Sequence, residues 1–425
     1  MREMKDSGIE WIGEIPCNWV VPKIKYLFDV ISGSTPSSVE ENWDGDITWI
    51  TPADYNTKDK YVNMGKRNLS KMGYLSCSTY LVPLGTIVFS KRAPIGTVAI
   101  TSKVLCTNQG CLSCIKKGRV SEEYYYYVLS IGTEHFELLG SGTTFKEISA
   151  NNFLNCPIPF PYFEEQEKIV VFLKNKCFQI DELLWDLQRQ IGILEKYKQS
   201  VITEVVTKGL NAKVEMKDSG IDWIGKIPLN WETRKIGRLF TLRNEKNFKS
   251  LDEVQLLSLY TDIGVFPHGE QEERGNKAVR AEGYNIVKKY DIVVNIILAW
   301  MGAIGISEYD GVTSPAYDVY MPDTSKVVPH YYHYVFRTKA IAGECYKYGR
   351  GIMLMRWRTY SSEFKQIPVP FPPIDEQQVL ADYLDSKCAK IDKIIEEKKK
   401  QIVTIEEYKK ALIFEYVTGK KEIKD

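Results

Sequence analysis

Few residues in this sequence have the types and spacing that chemistry requires. Cys106, Cys111 and Cys114 have a spacing that also occurs in iron–sulfur ligand sets. Their segment has the pattern of a strand, a turn and a second strand, which favours packing of small apolar thiols over metal binding. His330 and His333 lie three residues apart, where a solvated or packed pair is commoner than a metal site. The sequence therefore predicts no metal site.

Signatures of catalytic sites are also missing. The chain contains no GxxxxGK[ST], no HExxH and no GxSxG. Two adjacent prolines occur only at Pro372 and Pro373, after Phe371, so the Asn/Asp-Pro-Pro-aromatic signature of amino-group methyltransferases is absent. We therefore expect that the chain is not an enzyme by itself and binds no cofactor of its own.

Two blocks of the sequence occur twice. MKDSGIEWIGEIPCNWVVPKIKYLF from Met4 returns as MKDSGIDWIGKIPLNWETRKIGRLF from Met216, with 17 of 25 positions identical. FLNCPIPFPYFEEQ from Phe153 returns as FKQIPVPFPPIDEQ from Phe364. Repetition at one long period indicates two like units in tandem.

The segments between these blocks, residues 29–152 and 241–363, differ from each other. Their short apolar runs are bounded by Gly, Pro and Asp, which is typical of strands. The longest run, residues 292–306, is too short for a membrane span and is interpreted as two buried strands. The tyrosine clusters at residues 124–127 and 331–334 favour helix packing over base stacking. We expect the two segments to share one mixed fold and to carry different surfaces.

Each second block is followed by a long heptad pattern. Apolar residues recur every three and four positions over four heptads, which predicts two helices of roughly 60 Å that pack along a seam. Gly209 and Gly419 are expected to end them, and Asp375 with Gln378 resembles a capping box. Two equal units tend to be related by a twofold axis, which makes the helices antiparallel. Three lysines interrupt the seam and either fix its register or extend to solvent: Lys198, Lys398 and Lys409.

The predicted fold class is α+β, with two mixed α/β domains joined by two long helices in an antiparallel coiled coil with a pseudo-twofold internal repeat. The expected domains are residues 1–152, the first helix at 153–211, the second domain at 212–363 and the second helix at 364–425. By the symmetry of the repeat, residues 4–19 should lie beside the end of the second helix.

The charge pattern restricts the function classes. With 56 basic and 55 acidic residues, the net charge is +1, so any nucleic-acid surface must be local. A chain with two unlike surfaces is suited to recognise two DNA sequences that are separated by a spacer. Arg, Lys and hydroxyl side chains on loops would contact phosphates and bases. The candidate DNA-binding residues are Thr35, Lys66, Arg67, Lys91, Arg92, Thr143, Lys146, Arg243, Lys246, Arg274, Arg350, Arg356 and Arg358. The amino terminus has no apolar signal segment, so a cytoplasmic location is expected.

The chain resembles the DNA-specificity subunit of type I restriction-modification systems. The resemblance rests on PxPFPxxxEQ before a heptad helix that ends in V-T-x-G or V-T-G, present twice, each copy preceded by DSGI[ED]WIGxIPxNW. The motif residues are Pro157, Pro159, Pro161, Glu165, Gln166, Pro368, Pro370, Pro372, Glu376 and Gln377.

The resemblance implies a non-catalytic subunit with two target-recognition domains, each reading one part of a split, asymmetric double-stranded DNA target. It also implies two modification subunits, which bind S-adenosylmethionine and methylate adenine, and restriction subunits that use ATP and Mg²⁺. In the family the repeated regions dock the modification subunits, which assigns partner binding to Trp11, Glu165, Gln166, Trp223, Glu376 and Gln377. A coiled-coil scaffold with two peptide-binding domains is the alternative, and the salt dependence of DNA binding discriminates between them.

Overall fold

The computed structural model describes residues 2–55, 59–142, 146–261, 264–269, 280–352 and 357–423. The chain forms two compact units. Unit 1 comprises Met1–Leu187 and Lys400–Asp425, and unit 2 comprises Gln188–Lys399. Helices are α1 (Ile24–Leu27), α2 (Lys71–Leu75), α3 (Glu122–Ile131), α4 (Thr133–Leu138), α5 (Ala150–Asn155), α6 (Phe163–Lys208), α7 (Pro329–Phe336), α8 (Lys339–Tyr348), α9 (Ser361–Phe364) and α10 (Ile374–Val417).

Strands of both units are short and mostly antiparallel. In unit 1 they are β1 (Met4–Asp6), β2 (Glu14–Pro16), β3 (Phe28–Ser32), β4 (Trp43–Ile50), β5 (Tyr61–Val62), β6 (Arg67–Leu69), β7 (Ile87–Ser90), β8 (Val98–Thr101), β9 (Cys106–Thr107) and β10 (Cys111–Lys116). In unit 2 they are β11 (Met216–Asp218), β12 (Lys226–Pro228), β13 (Glu232–Lys235), β14 (Phe240–Leu242), β15 (Leu257–Tyr260), β16 (Gly264–Pro267), β17 (Asn285–Val287), β18 (Ile292–Asn295), β19 (Ile304–Ile306), β20 (Gly311–Thr313), β21 (Tyr317–Pro322) and β22 (Pro368–Phe371).

The main sheets of the two units have the same order in four strands, and the sheet of unit 1 has β5 as a fifth strand. In unit 1 the order is β3-β10-β7-β8-β5, and in unit 2 it is β14-β21-β18-β19. The strands β3, β10, β7 and β8 therefore correspond in turn to β14, β21, β18 and β19. This correspondence confirms that the two dissimilar segments share one fold. It also confirms the two buried strands predicted within residues 292–306, which are β18 and β19.

In each unit the two long helices run antiparallel, as predicted. In unit 1 the Lys409 ammonium lies 2.6 Å from the Asp181 carboxylate. In unit 2 the Lys198 ammonium lies 2.6 Å from the Asp392 carboxylate, and Lys398 donates to the Gln190 amide oxygen at 2.5 Å. All three seam lysines thus reach the opposite helix, which favours a role in register over extension to solvent.

Tyrosines tie each domain to the end of a long helix. The Tyr124 hydroxyl donates to the carbonyl of Val417 at 2.7 Å, and the Tyr331 hydroxyl donates to the carbonyl of Val206 at 2.9 Å. Both rings are fully buried. Burial also raises the pKa of both hydroxyls well above the usual value, so they remain protonated donors. The prediction that these tyrosine clusters pack in the core is confirmed.

The first repeated segment lies beside the end of α10, as predicted. The Trp11 and Phe414 rings are 6.5 Å apart, and the Lys420 ammonium donates to the carbonyl of Glu14 at 3.3 Å.

The capping-box prediction was wrong. Asp375 lies inside the first turn of α10, and the Gln378 amide donates to Asp382 one turn onward at 2.8 Å. Among the described residues, the hydropathy of each helix falls short of what a membrane crossing requires.

Glycine is required where each long helix ends. Gly209 and Gly419 have φ of +73° and +72°, the left-handed region. A Cβ at position 419 would lie 2.5 Å from two ring atoms of Pro16. At position 209 the nearest atoms, including Trp231 Cζ2, would be 3.3 Å away.

We therefore expect Gly419→Ala to destabilise unit 1 more than Gly209→Ala destabilises unit 2. Both variants incur the left-handed penalty of about 1 kcal/mol, and Gly419→Ala adds a clash with a rigid ring. Thermal unfolding followed by circular dichroism measures both losses. Equal losses would show that the Pro16 contact is unimportant.

The stability of unit 2 should depend on pH through His333. Burial, together with the charges of Arg337, His330 and Lys198, lowers the pKa of His333 to about 3. Between this value and the unfolded pKa of about 6.5, only the unfolded state is protonated. Stability is therefore complete above about pH 6.5 and falls as the pH decreases, by up to about 1.4 kcal/mol per unit. Urea unfolding at pH 7 and pH 5 should show this loss, and His333→Gln should reduce it. Equal pH dependence of both proteins would contradict the assignment.

Candidate nucleic-acid interface

The candidate cations of unit 1 converge because of the sheet's register. Ser32 at the end of β3 pairs with Leu112, and Cys111 at the start of β10 pairs with Ser90 at the end of β7. The chain leaving β3, the chain entering β10 and the chain leaving β7 therefore meet at one end of the sheet. We call this the loop end of unit 1. Thr35 lies there after β3, and its hydroxyl donates to the Gln109 amide oxygen.

Lys91 and Arg92 leave β7 at the same loop end. The Lys91 ammonium and the Arg92 guanidinium lie 2.9 and 2.8 Å from the two carboxylate oxygens of Glu147. Partial burial raises the pKa of Glu147, but the hydrogen bonds from Lys91 and Arg92 outweigh this effect. The pKa of Glu147 is therefore lower than its usual value. Lys146, next to Glu147, is exposed. The cluster of these four residues carries two more positive charges than negative ones.

Lys66 and Arg67 are linked to this loop end through the smaller sheet β6-β4-β9. Arg67 pairs with Trp49, whose indole nitrogen donates to the carbonyl of Ser34 at 3.0 Å. The Arg67 guanidinium lies 4.4 Å over the Trp43 ring and 2.9 Å from Asp44. Stacking on the ring fixes the plane of the guanidinium, whereas Lys66 is exposed.

Unit 2 has a corresponding loop end. Asn295 at the end of β18 pairs with Tyr317 at the start of β21. Lys246, which follows β14, is held there because its ammonium donates to Asn285, whose amide donates to the carbonyl of Tyr317 at 2.7 Å. The amide of Thr359 donates to the carbonyl of Ile296 at 2.9 Å. This bond attaches the chain that carries Arg350 and Arg358 to the same end.

Arg350 and Arg358 face each other across a backbone bridge with two hydrogen bonds of 2.9 Å. The side chain of Arg350 is 68% exposed, 3.3 Å from Glu363 and 5.1 Å from the centre of the Tyr360 ring. Arg358 donates to the carbonyl of Trp357 at 2.8 Å. An open groove lined by Arg350, Gly351, Ile352 and Tyr360 adjoins this bridge.

Arg243 lies close to the loop end, but its donors are occupied inside unit 2. Its guanidinium donates to both oxygens of Asp291, at 2.7 and 3.1 Å, and to Glu245 at 2.6 Å. The side chains of Arg243 and Asp291 are only 11% and 3% exposed. These bonds raise the pKa of Arg243. These internal bonds favour a role for Arg243 in holding the loop end together, and its DNA contact stays a prediction. Thr143, Arg274 and Arg356 lie outside the described residues.

The predicted partner-binding glutamates hold tryptophans of the repeated segments. Glu165 accepts from the Trp19 indole at 3.0 Å, and Glu376 accepts from the Trp231 indole at 2.9 Å. Trp19 and Trp231 are both fully buried. A tryptophan three residues after a proline in each copy of the repeat was the sequence signal for these anchors.

Gln166 and Gln377 are buried completely. The Gln166 amide joins the Ser121 nitrogen to the carbonyl of Pro161, both at 2.9 Å. Gln377 similarly accepts from the Val328 nitrogen at 2.8 Å. Every hydrogen-bond partner named here lies inside the same unit, which favours a structural role for the two glutamines, and their contact with a partner subunit stays a prediction. They join the start of each long helix to the adjacent domain.

Trp11 and Trp223 are half-buried. Within the described residues, their indole nitrogens are buried without hydrogen-bond partners. The Trp11 ring stacks on His135 with centroids 5.8 Å apart. Their exposed surface remains available for the predicted partner contact.

Sequence reasoning selected cations and missed the carboxylates that position them. The Glu147 carboxylate accepts from Arg92, 55 positions away, and the Asp291 carboxylate accepts from Arg243, 48 positions away. Glu147 directly follows Lys146, so its position in a candidate loop was the available signal. No pattern in the sequence indicated that the Trp43 ring stacks against the Arg67 guanidinium.

The cysteine segment forms strands, as predicted. Cys106 is in β9, and Cys111 and Cys114 are in β10. Burial raises the pKa of Cys106 to about 11 and that of Cys111 to about 12, so both remain thiols. Across the described ranges, three or more His, Cys, Asp or Glu side chains do not come together as a metal-binding group.

Removing Arg243 and removing Arg350 should have different effects. Arg243→Ala leaves the Asp291 charge buried without its partner, which costs about 3–5 kcal/mol of stability. Arg350→Ala removes an exposed side chain and should change stability by less than about 0.5 kcal/mol. Chemical denaturation of both variants measures the difference. Similar losses would show that the Arg243–Asp291 pair is not structural.

Comparisons with known proteins agree with this architecture. The family model described as "Type I restriction modification DNA specificity domain" matches residues 16–184 and 228–404. The MjaIX specificity subunit of Methanocaldococcus jannaschii is 36% identical over 249 residues, which are 58% of this chain and 56% of that protein. The putative MjaX specificity subunit of the same organism is 26% identical over 97% of this chain and 96% of its own length. A chain from a solved structure on complex assembly of the type I R-M system has a TM-score of 0.69 at 13% identity, covering 95% of this chain and 98% of that chain.

Proposed function

Because the chain belongs to the family of type I restriction-modification DNA specificity domains, we propose that it is the DNA-recognition subunit of such a complex. It catalyses no reaction itself. The observation that carries the proposal is the shared strand order of two sheets, each with a different cationic loop end. One scaffold with two sets of loops suits the reading of two different parts of a bipartite, asymmetric target.

Each loop end supplies contacts for one half of the target. In unit 1 the exposed cations are Lys66, Arg67, Arg92 and Lys146, supported by Thr35 and Lys91. In unit 2 they are Lys246 and Arg350, and the half-buried Arg358 lies beside Arg350. Phosphate contacts fix the orientation on the duplex, and Arg contacts to guanine supply part of the sequence specificity.

The repeated segments dock the partners. In unit 1 the exposed part of Trp11 adjoins the end of α10, and in unit 2 Trp223 occupies the equivalent place in the second copy of the repeat. Two like surfaces on one chain suit two modification subunits. These subunits carry S-adenosylmethionine, and the restriction subunits supply the ATP- and Mg²⁺-dependent activity. The complex acts on cytoplasmic DNA.

The experiment that tests the proposal maps methylated bases across the genome with this gene present and deleted. A bipartite motif that loses methylation only in the deletion strain supports the proposal. Unchanged methylation in a strain that expresses the modification subunits would contradict it and favour the peptide-binding scaffold.

Replacing one loop-end cation should weaken one half of the recognition. Lys146→Ala should reduce the slope of log affinity against log salt by about 0.9, because one phosphate contact is lost. Lys117→Ala is the matched control, since Lys117 lies beyond the opposite end of β10 and pairs with Asp29 at 2.8 Å. Fluorescence anisotropy on the mapped target at several salt concentrations measures both slopes. Equal slopes for the two variants would remove Lys146 from the interface.

A further inference from the structure

Phe248 is held in solvent at the loop end of unit 2. Its side chain is 87% exposed, more than that of any other large aromatic residue in the described parts of the chain. It follows β14 and lies between Lys246 and Lys249. A single exposed apolar side chain is ordinary, so its backbone and its neighbours decide whether it has a role.

The backbone around Phe248 is fixed by a buried asparagine. Asn247 is 4% exposed, and its side-chain amide donates to the carbonyls of Lys249 and Ala281, both at 2.9 Å. Its amide oxygen accepts from the Lys249 nitrogen at 3.1 Å. The backbone nitrogen of Asn247 also donates to the carbonyl of Tyr284 at 2.8 Å. This loop therefore presents Phe248 in a defined position, without a large ordering cost on binding.

Further exposed apolar side chains lie at the same loop end. Met301, in the turn after β18, is 56% exposed, and Ile352, beside Arg350, is 92% exposed. In unit 1 the position 212 residues before Phe248, at the offset of the repeated blocks, is Pro36, which is buried. The loop end of unit 2 thus combines cations with projecting apolar groups.

We propose that Phe248 is a wedge residue that inserts at a base-pair step in the half of the target that unit 2 reads. This inference rests on the proposed function and specifies how one domain recognises its DNA. The flanking lysines contact phosphates on either side of the step, and the ring replaces part of the base stacking that is lost. Apolar wedges of this type kink duplex DNA.

A wedge at Phe248 also predicts part of the base sequence of the half-site that unit 2 reads. Pyrimidine–purine steps unstack most easily, so the half-site read by unit 2 contains a TA or CA/TG step at the position of Phe248. Recognition at this step depends on deformability in addition to hydrogen bonds. Exchange of residues 241–363 for the equivalent segment of a relative, followed by methylation mapping, identifies which half unit 2 reads.

The test uses the chain assembled with its modification subunits and a duplex that carries the mapped target. 2-Aminopurine replaces the purine of the pyrimidine–purine step in the unit 2 half. Wild type should increase its fluorescence on binding because the base loses a stacking neighbour. Phe248→Ala should abolish this increase and weaken affinity by about tenfold. Phe248→Leu keeps an apolar wedge and should retain part of both effects.

Phe178→Ala is the matched control, since Phe178 is 62% exposed on α6, outside the loop ends. It should behave as wild type, and a probe in the unit 1 half should respond equally in every variant. Wild-type fluorescence and affinity in Phe248→Ala would overturn the wedge and leave the proposed function intact. The wedge would also be overturned, and the proposed function left intact, if Phe178→Ala lost as much fluorescence increase and affinity as Phe248→Ala. Equal losses of probe response in both halves of the target for Phe248→Ala would lead to the same conclusion. Failure of the wild-type complex to bind its target specifically would overturn the proposed function and the wedge with it.

Discussion

The antiparallel pairing of α6 and α10 within each unit is the constraint on which the rest of the structure depends. The core of unit 1 contains Leu173 from α6 and Val417 from α10, and the core of unit 2 contains Val206 from α6 and Leu384 from α10. Each core therefore needs the beginning of one helix and the end of the other. A change in helix register would disturb both cores, which explains why helix starts, helix ends and the tryptophan segments are the repeated parts of the sequence.

Polar contacts in the seam specify this register at little gain in stability. The Lys409–Asp181 and Lys198–Asp392 pairs occupy equivalent places in the repeat, and their lysine side chains are 28% and 26% exposed. Partly exposed pairs of this kind contribute about 0–1 kcal/mol. A shifted register would leave the same charges against apolar residues. The ion pairs consequently destabilise wrong registers of the two helices more than they stabilise the correct register.

Sequence periodicity predicted the helices, their ends and the shared fold because these features depend on regular spacing. Loop function was less accessible. Arg243 and Arg350 are the same residue type on candidate loops, yet Arg243 is buried against Asp291, 48 positions away, and Arg350 is exposed. Gln166 and Gln377 belong to the most specific motif, but their amides bond inside their own units. Pairings between distant residues and the direction of a side chain are set by tertiary packing, which a single sequence does not display.

Under the proposed function, the acidic partners of the loop-end cations explain how a chain of net charge +1 can read DNA. Arg92, Arg67 and Arg350 lie 2.8, 2.9 and 3.3 Å from Glu147, Asp44 and Glu363. A cation that already has a carboxylate partner gains less from an arbitrary phosphate than an unpaired cation does. The sequence-independent attraction that dominates non-specific binding is thereby reduced. The same carboxylates fix the orientation of the guanidinium groups, so less rotational freedom is lost when a correctly placed base edge meets them. Such loops bind an arbitrary duplex more weakly, whereas their affinity for the correct target falls less. A specificity subunit requires this difference between specific and non-specific affinity.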